Sequence, residues 1–168
     1  MKLVNIGIAG CLGRMGKELV TNLIEDKRVN FSGGFEHIDH KDLNKNFSTL
    51  LGIKTDYKVS NNAEKIFSDS DVVIDFTTPS STKHNLITAK NNSTSLVIGT
   101  TGLTPSILKS IKKVSKNISI LQSSNMSLGI NLLFKLVQKT ASTLDKANYD
   151  IEISETHHKH KIDAPSGT

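Results

Sequence analysis

Hydrophobic positions follow two rhythms along this chain. Short apolar-rich runs occur at Leu3–Ala9, Val29–Phe35, Val72–Phe76, Ser95–Ile98 and Ile118–Leu121. Runs of this length and character predict strands of a sheet covered on both faces. Between them, apolar residues recur every three or four positions, the spacing of one helix face. Met15, Leu19, Leu23 and Ile24 carry that spacing, and so do Ile107, Leu108 and Ile111 behind Thr104-Pro105, a helix-start pair. A further helix is expected near Ser81–Lys90. Strand and helix in regular alternation predict an α/β fold, a Rossmann-like doubly wound parallel sheet. Leu128–Leu144 forms another expected helix, with Ile130, Leu133, Phe134, Val137 and Leu144 placed for a core. Tyr149–Glu155 then alternates apolar and polar, the signature of a half-exposed strand. The chain therefore divides into an α/β domain, 1–127, and the beginning of a second, α+β domain, 128–168. Residues 37–62 are polar and irregular and carry no functional signal.

Composition narrows the classes. At 168 residues the chain is one domain, or one and part of a second. The net charge is +5, and all but Arg14 and Arg28 of the 21 basic residues are lysines. These lysines are scattered, with no basic run interleaved with aromatics, so the charge reads as a solvated surface and not a nucleic-acid footprint. A lone cysteine, Cys11, excludes an intrachain disulfide and fits a reducing compartment. No apolar stretch approaches the ~20 residues of a membrane span, and no signal peptide is evident. A soluble, cytoplasmic protein without a membrane partner is expected.

The first strand opens into Gly10-Cys-Leu-Gly13-Arg-Met-Gly16, followed by a helix. This is the context a dinucleotide fingerprint requires. Gly10 permits the sharp turn, Gly13 lets backbone approach a pyrophosphate, and Gly16 lets the helix pack closely on the strand. Glu36 ends the second strand, about twenty residues beyond Gly16, where an acid accepts hydrogen bonds from an adenosine ribose. His37 and nearby lysines could meet a 2′-phosphate. The cofactor is thus NADH or NADPH, with Glu36 favouring NADH. Thr77, Thr78, Gly99–Thr101 and Ser123–Met126 all follow strands, and in open parallel sheets ligands bind beyond those strand ends.

The last segment, Glu155-Thr-His-His-Lys-His-Lys-Ile-Asp-Ala-Pro-Ser-Gly-Thr168, packs three imidazoles and two ammonium groups into a few residues. Such density calls for an anionic companion, and the small residues after Pro165 can offer N–H groups and hydroxyls to a carboxylate. A metal site at His157, His158 and His160 is disfavoured: neighbours on a strand face opposite ways, and interleaved lysines repel a cation. The metal expectation is none.

These motifs together resemble the 4-hydroxy-tetrahydrodipicolinate reductase (dihydrodipicolinate reductase) family of the diaminopimelate route to lysine. The resemblance rests on Gly13–Gly16, Val73-Ile-Asp-Phe-Thr77, Val97-Ile-Gly-Thr-Thr-Gly102, Asn125–Asn131 and the terminal segment. It implies NAD(P)H-dependent reduction of 4-hydroxy-tetrahydrodipicolinate, a small dicarboxylate. His157 matches the family's catalytic histidine and Lys161 its proton donor; His158, Gly167 and Thr168 match substrate-carboxylate positions. Gly10, Cys11, Leu12, Gly13, Arg14, Met15, Glu36, His37, Gly99, Thr100, Thr101, Ser123, Ser124, Asn125 and Met126 match the cofactor site. His37 stands where some members have arginine. Family members form homotetramers and continue past the Gly-Thr that ends this chain, so a C-terminally truncated substrate domain is expected. The alternative is an inactive NAD(H)-binding remnant of that enzyme.

Overall fold

A computed structural model describes residues 2–144, 149–157 and 159. The chain divides into two compact units, Met1–Gln122 and Ser123–Thr168. The first is a Rossmann-like sheet of six parallel strands: β1 (Val4–Ala9), β2 (Val29–Phe35), β3 (Val59–Ser60), β4 (Val72–Asp75), β5 (Ser95–Ile98) and β6 (Ile120–Gln122). Their order is β3-β2-β1-β4-β5-β6, so the winding direction reverses between β1 and β4. Helices α1 (Arg14–Glu25), α2 (Phe47–Leu51), α3 (Ala63–Ser68), α4 (Pro79–Asn91) and α5 (Pro105–Val114) connect the strands.

Two apolar clusters cover the sheet. One gathers Phe67, Val73, Leu86, Leu96, Ile107 and Ile111. The other gathers Ile8, Val20, Phe31, Phe47 and Val59. An irregularity in β2 decides which residue joins which. Phe31 pairs with Ile6 but Gly33 pairs with Gly7, so Ser32 is an extra residue in the ladder. Side chains on a strand alternate faces, and one inserted residue inverts everything after it. Phe31 accordingly belongs to the second cluster and Phe35 to the first. Without the bulge Phe35 would sit on the wrong face, and Glu36 behind it would be displaced.

Residues 37–62, featureless as a sequence, hold α2 and the edge strand β3. At five and two residues both are too short to repeat a hydrophobic period, yet Phe47 and Val59 are fully buried. Phe47 meets Phe31 edge to face with centroids 5.8 Å apart. Helix α4 (Pro79–Asn91) covers the expected span and starts two residues earlier: Thr78 caps it, accepting from the Ser81 N–H. Its buried face holds Thr82 and Asn85 beside Leu86 and Ala89, which masks its start in a hydrophobic pattern. Met15 departs from the apolar face expected of α1 and is 47% exposed, whereas Leu19, Leu23 and Ile24 pack inward. The last strand is Ile120–Gln122; Ile118 is buried just ahead of it.

Two expectations for the second unit fail. Helix α6 (Leu128–Leu144) forms as expected, but none of its residues is buried and Leu128 is 87% exposed. A helix face needs a second layer to be covered, and α6 is the only regular element among the described residues of this unit. Tyr149–Glu155 is not a strand, because no neighbouring strand among the described residues supplies its ladder. Ile151 instead shares a shallow hollow with Leu136, Val137 and Leu144 of α6.

Replacing Phe47 with Ala should destabilise the first unit by about 3–5 kcal/mol, the usual cost of emptying a fully buried aromatic site. Urea unfolding monitored by circular dichroism checks this; a loss below about 1 kcal/mol would mean that α2 is not part of the core.

Candidate functional site

The site begins where β1 ends. Gly10 has φ +70°, a conformation that side chains resist, and its N–H donates to the Phe35 carbonyl at 2.9 Å. The turn closes as the Gly13 N–H donates to the Gly10 carbonyl at 3.1 Å. At Gly16 a Cβ would overlap the Gly10 carbonyl oxygen and the Cys11 backbone, so α1 lies against the strand end with no room for a methyl group.

Helix α1 starts differently from α3, α4 and α5. Those are capped by the side chains of Asn62, Thr78 and Thr104. The N-cap of α1 is Gly13, which has no side chain to offer, and its first turn holds no acid. Its first N–H groups and the positive end of its dipole are therefore not satisfied by the helix's own sequence, the arrangement that suits an anion such as a phosphate.

Glu36 follows β2 and is half-buried. Its Oε1 accepts the Leu12 N–H at 2.7 Å, and its own N–H donates to Ser60 O at 2.9 Å. The carboxylate is thus pinned beside the glycine turn, where an acceptor can meet ribose hydroxyls. His37 is exposed. Its Nδ1 lies 3.3 Å from both the Asp39 N–H and the Asp39 carboxylate; it accepts from the first when neutral and pairs with the second when protonated. Asp42 forms a 2.7 Å ion pair with Lys45, which holds its carboxyl below the usual range.

A cleft of about 780 Å³ lies over these strand ends. Gly10, Gly13, Glu36 and His37 line one part, and Phe76, Thr77, Thr78, Ser80, Ser81, His84 and Asn85 line another. Behind the second part lies Asp75, wholly buried. Its carboxylate accepts the Thr77 N–H at 2.9 Å, the Thr77 hydroxyl at 2.6 Å, the Asn85 amide at 3.0 Å and the Thr100 hydroxyl at 3.3 Å. Thr100 also accepts from Thr82 at 2.8 Å.

The structure brings six of the residues that the sequence places on the ligand side, Gly10, Gly13, Glu36, His37, Thr77 and Thr78, into that one cleft. Leu12 offers its N–H to Glu36 while its side chain packs on the core. Arg14 and Met15 are exposed at the start of α1. The Cys11 side chain turns into the core, leaving only its backbone toward the turn; burial pushes its thiol pKa up, with the Glu36 charge adding to the effect. Gly99 and Thr100 are buried at the end of β5, where a Cβ on Gly99 would overlap the Phe76 ring; Thr101 is exposed.

Ser123–Met126 belong to the second unit. There the Ser123 hydroxyl donates to Asn125 O at 2.7 Å, and Asn125 Oδ1 accepts the Ser127 N–H at 2.9 Å. Met126 is exposed. His157 is partly exposed, with Nδ1 3.7 Å from the Glu155 carboxylate. His158, Lys161, Gly167 and Thr168 lie outside the described residues, and so does His160. Among the described residues no three His, Cys, Asp or Glu side chains gather in a way that could hold a metal ion. No helix among them is long and apolar enough to cross a membrane.

Sequence reasoning missed Asp75, Asn85 and Thr82. A signal existed: a carboxylate inside the apolar run Val72–Phe76 requires nearby donors once the strand is buried.

Comparison with known proteins bears on the same regions. Residues 4–126 match the family described as dihydrodipicolinate reductase, N-terminus, and residues 129–168 match dihydrodipicolinate reductase, C-terminus. A 4-hydroxy-tetrahydrodipicolinate reductase of Polynucleobacter necessarius is 41% identical over 98% of this chain and 62% of its own length. One from Buchnera aphidicola is 40% identical over 98% of this chain and 61% of its own. The solved structure of dipicolinate-bound dihydrodipicolinate reductase from a Paenisporosarcina species superimposes with a TM-score of 0.75 at 29% identity, covering 99% of this chain and 62% of that one. Myo-inositol 2-dehydrogenase from Lactobacillus plantarum, at 18% identity and a TM-score of 0.60, shares the fold. The chain thus spans about 62% of the length of the first relatives it matches.

Cys11 gives a direct check on the glycine turn. With its side chain buried and its thiol pKa raised, alkylation by iodoacetamide at pH 8 should be at least ~100-fold slower in the native chain than in urea, because only the exposed thiolate reacts. Comparable rates in both would place Cys11 at the surface and the turn in another conformation.

Proposed function

The chain belongs to the dihydrodipicolinate reductase family, and from that premise we propose that it reduces 4-hydroxy-tetrahydrodipicolinate to tetrahydrodipicolinate with a nicotinamide cofactor. One observation supports the cofactor half above all others: an uncapped α1 facing a glycine turn, with the Glu36 carboxylate held 2.7 Å from the Leu12 N–H. Gly10, Gly13 and the first N–H groups of α1 receive the pyrophosphate. Glu36 accepts from the ribose hydroxyls and repels a 2′-phosphate, so NADH is preferred over NADPH. Gly99–Thr101 and Ser123–Met126 contribute to the nicotinamide half.

The bound dihydronicotinamide supplies hydride. The chain's own residues must then hold a dicarboxylate and deliver a proton beside the carbon that receives the hydride. Lys161 is the general acid and His157 the catalytic histidine, while His158, Gly167 and Thr168 hold the carboxylates. Crowding of lysines and histidines lowers the cost of deprotonating Lys161 and offsets the substrate's two negative charges. The same reading places the protein in the cytoplasm, which suits a buried, unpaired cysteine, and in a homotetramer, which suits the exposed leucines of α6.

The decisive test follows NADH oxidation by the purified chain, with substrate generated in place by the preceding synthase. Turnover supports the proposal; a folded chain that binds NADH without turnover is a cofactor-binding remnant. Lys161→Ala should abolish turnover and leave NADH affinity within about twofold, since a proton donor acts in the transition state and not in cofactor binding. A large loss of NADH affinity would remove it from that role.

Glu36→Ala should weaken NADH about tenfold or more, because a charge-assisted hydrogen bond is lost, and should weaken NADPH less. Fluorescence titration with both cofactors measures this. Equal losses would take Glu36 out of the ribose contact.

A further inference from the structure

Asp75 is a buried carboxylate to which the proposed chemistry gives no part. Among the described residues no lysine, arginine or histidine pairs with it, and it shows no exposure at all. All four hydrogen bonds it accepts come from neutral groups: the Thr77 N–H and hydroxyl, the Asn85 amide and the Thr100 hydroxyl. Burying a charge in this way is costly unless every donor is in place. The donors come from three separate pieces of chain. Thr77 lies in the β4–α4 turn, Asn85 two turns into α4, and Thr100 in the β5–α5 turn. The Asp75 backbone ties the last of these again, since its carbonyl accepts the Gly99 N–H at 2.9 Å.

The network also sets the direction of hydroxyl protons. A carboxylate that only accepts draws the Thr77 proton inward over 2.6 Å. Thr77 lines the cleft, and with its hydroxyl proton committed to Asp75 the oxygen has only lone pairs left to offer a ligand there. Asn85 lines the same cleft while its amide nitrogen is committed to Asp75.

We infer that Asp75 is a positioning residue of the cofactor cleft: its carboxylate fixes the β4–α4 and β5–α5 turns relative to α4 and presents Thr77 as an acceptor to a donor group of the nicotinamide half. The inference rests on the cofactor reading given above. Because β2 with Glu36 takes the adenosine side, the β4 and β5 ends fall to the nicotinamide side. Asp75 itself touches nothing in the cleft and acts through Thr77, Asn85 and Thr100.

A swap tests this. In Asp75→Asn the new amide hydrogens face the Asn85 amide, donor against donor. In Asn85→Asp two carboxylates meet about 3 Å apart. In the double variant Asp75→Asn with Asn85→Asp, the amide donates to the carboxylate and its oxygen still accepts from Thr77 and Thr100. NADH affinity is titrated for all four proteins well below their thermal midpoints. Each single variant should lose about tenfold or more in NADH affinity, as expected for a displaced hydrogen-bonded turn, and the double variant should return to within about threefold of the starting chain. A purely structural role would lower the midpoints but leave the affinity of the folded fraction unchanged. Unchanged affinity in folded Asp75→Asn overturns the inference and leaves the cofactor reading standing. Recovery of the midpoint without recovery of affinity in the double variant also overturns it. Failure of the starting chain to bind NADH overturns both readings.

If Asp75→Asn does not fold, Thr82→Val decides the question. Thr82 is wholly buried, touches Thr100 and does not line the cleft. A two- to fivefold loss of NADH affinity supports the network, roughly what one neutral hydrogen bond contributes; no change overturns it.

Discussion

The contact between Gly16 and the Gly10 carbonyl governs the working end of this protein. Helix α1 can approach β1 so closely only because position 16 carries no Cβ. That approach sets the N-terminus of α1 beside the end of the strand, lets the Gly13 N–H close on Gly10, and carries the Leu12 N–H to the Glu36 carboxylate. A methyl group at Gly16 would push the helix outward, and the anion-ready N–H groups would lose their relation to the acid on β2. Glycine is required here by space and at Gly10 by backbone conformation, two different reasons within one turn.

The opposite wall of the cleft is organised by charge and not by close approach. Asp75 is satisfied by donors from two turns and one helix, so its position and theirs are mutually determined. Polar residues inside α4 make sense in this light: Thr82 and Asn85 occupy core positions because a carboxylate lies behind the sheet end. Both walls obey the same rule, since each buried polar group has its partner within reach; among the described residues no buried side-chain nitrogen or oxygen lacks a hydrogen bond.

Much of this was legible in the sequence. Strands β1, β2, β4 and β5 stood out as short apolar-rich runs, the character of parallel strands covered on both faces, and the glycine turn stood out by its place between a strand and a helix. Glu36 followed from its distance beyond Gly16. What escaped was either too short to show a period or dependent on distant partners. Helix α2 and strand β3, at five and two residues, are too short to repeat a hydrophobic period, yet Phe47 and Val59 are core residues. The bulge at Ser32 is a property of pairing, invisible in one strand alone. Apolar spacing in α6 promised a core that only a second layer can provide, and the alternation in Tyr149–Glu155 promised a strand that only a neighbour can complete. The part played by Asp75 is not legible within its own strand, because its donors lie as far as 25 residues away in sequence.

The central claim is that a nicotinamide dinucleotide lies across the ends of β1, β2 and β4, with its pyrophosphate on the start of α1. Amide hydrogen exchange with and without NADH tests it most directly. The account predicts slowed exchange at Leu12–Met15 and at Glu36–His37, with smaller protection at Thr77 and Thr100. Binding of NADH that leaves Leu12–Met15 unprotected, or that protects only segments away from these strand ends, would contradict it.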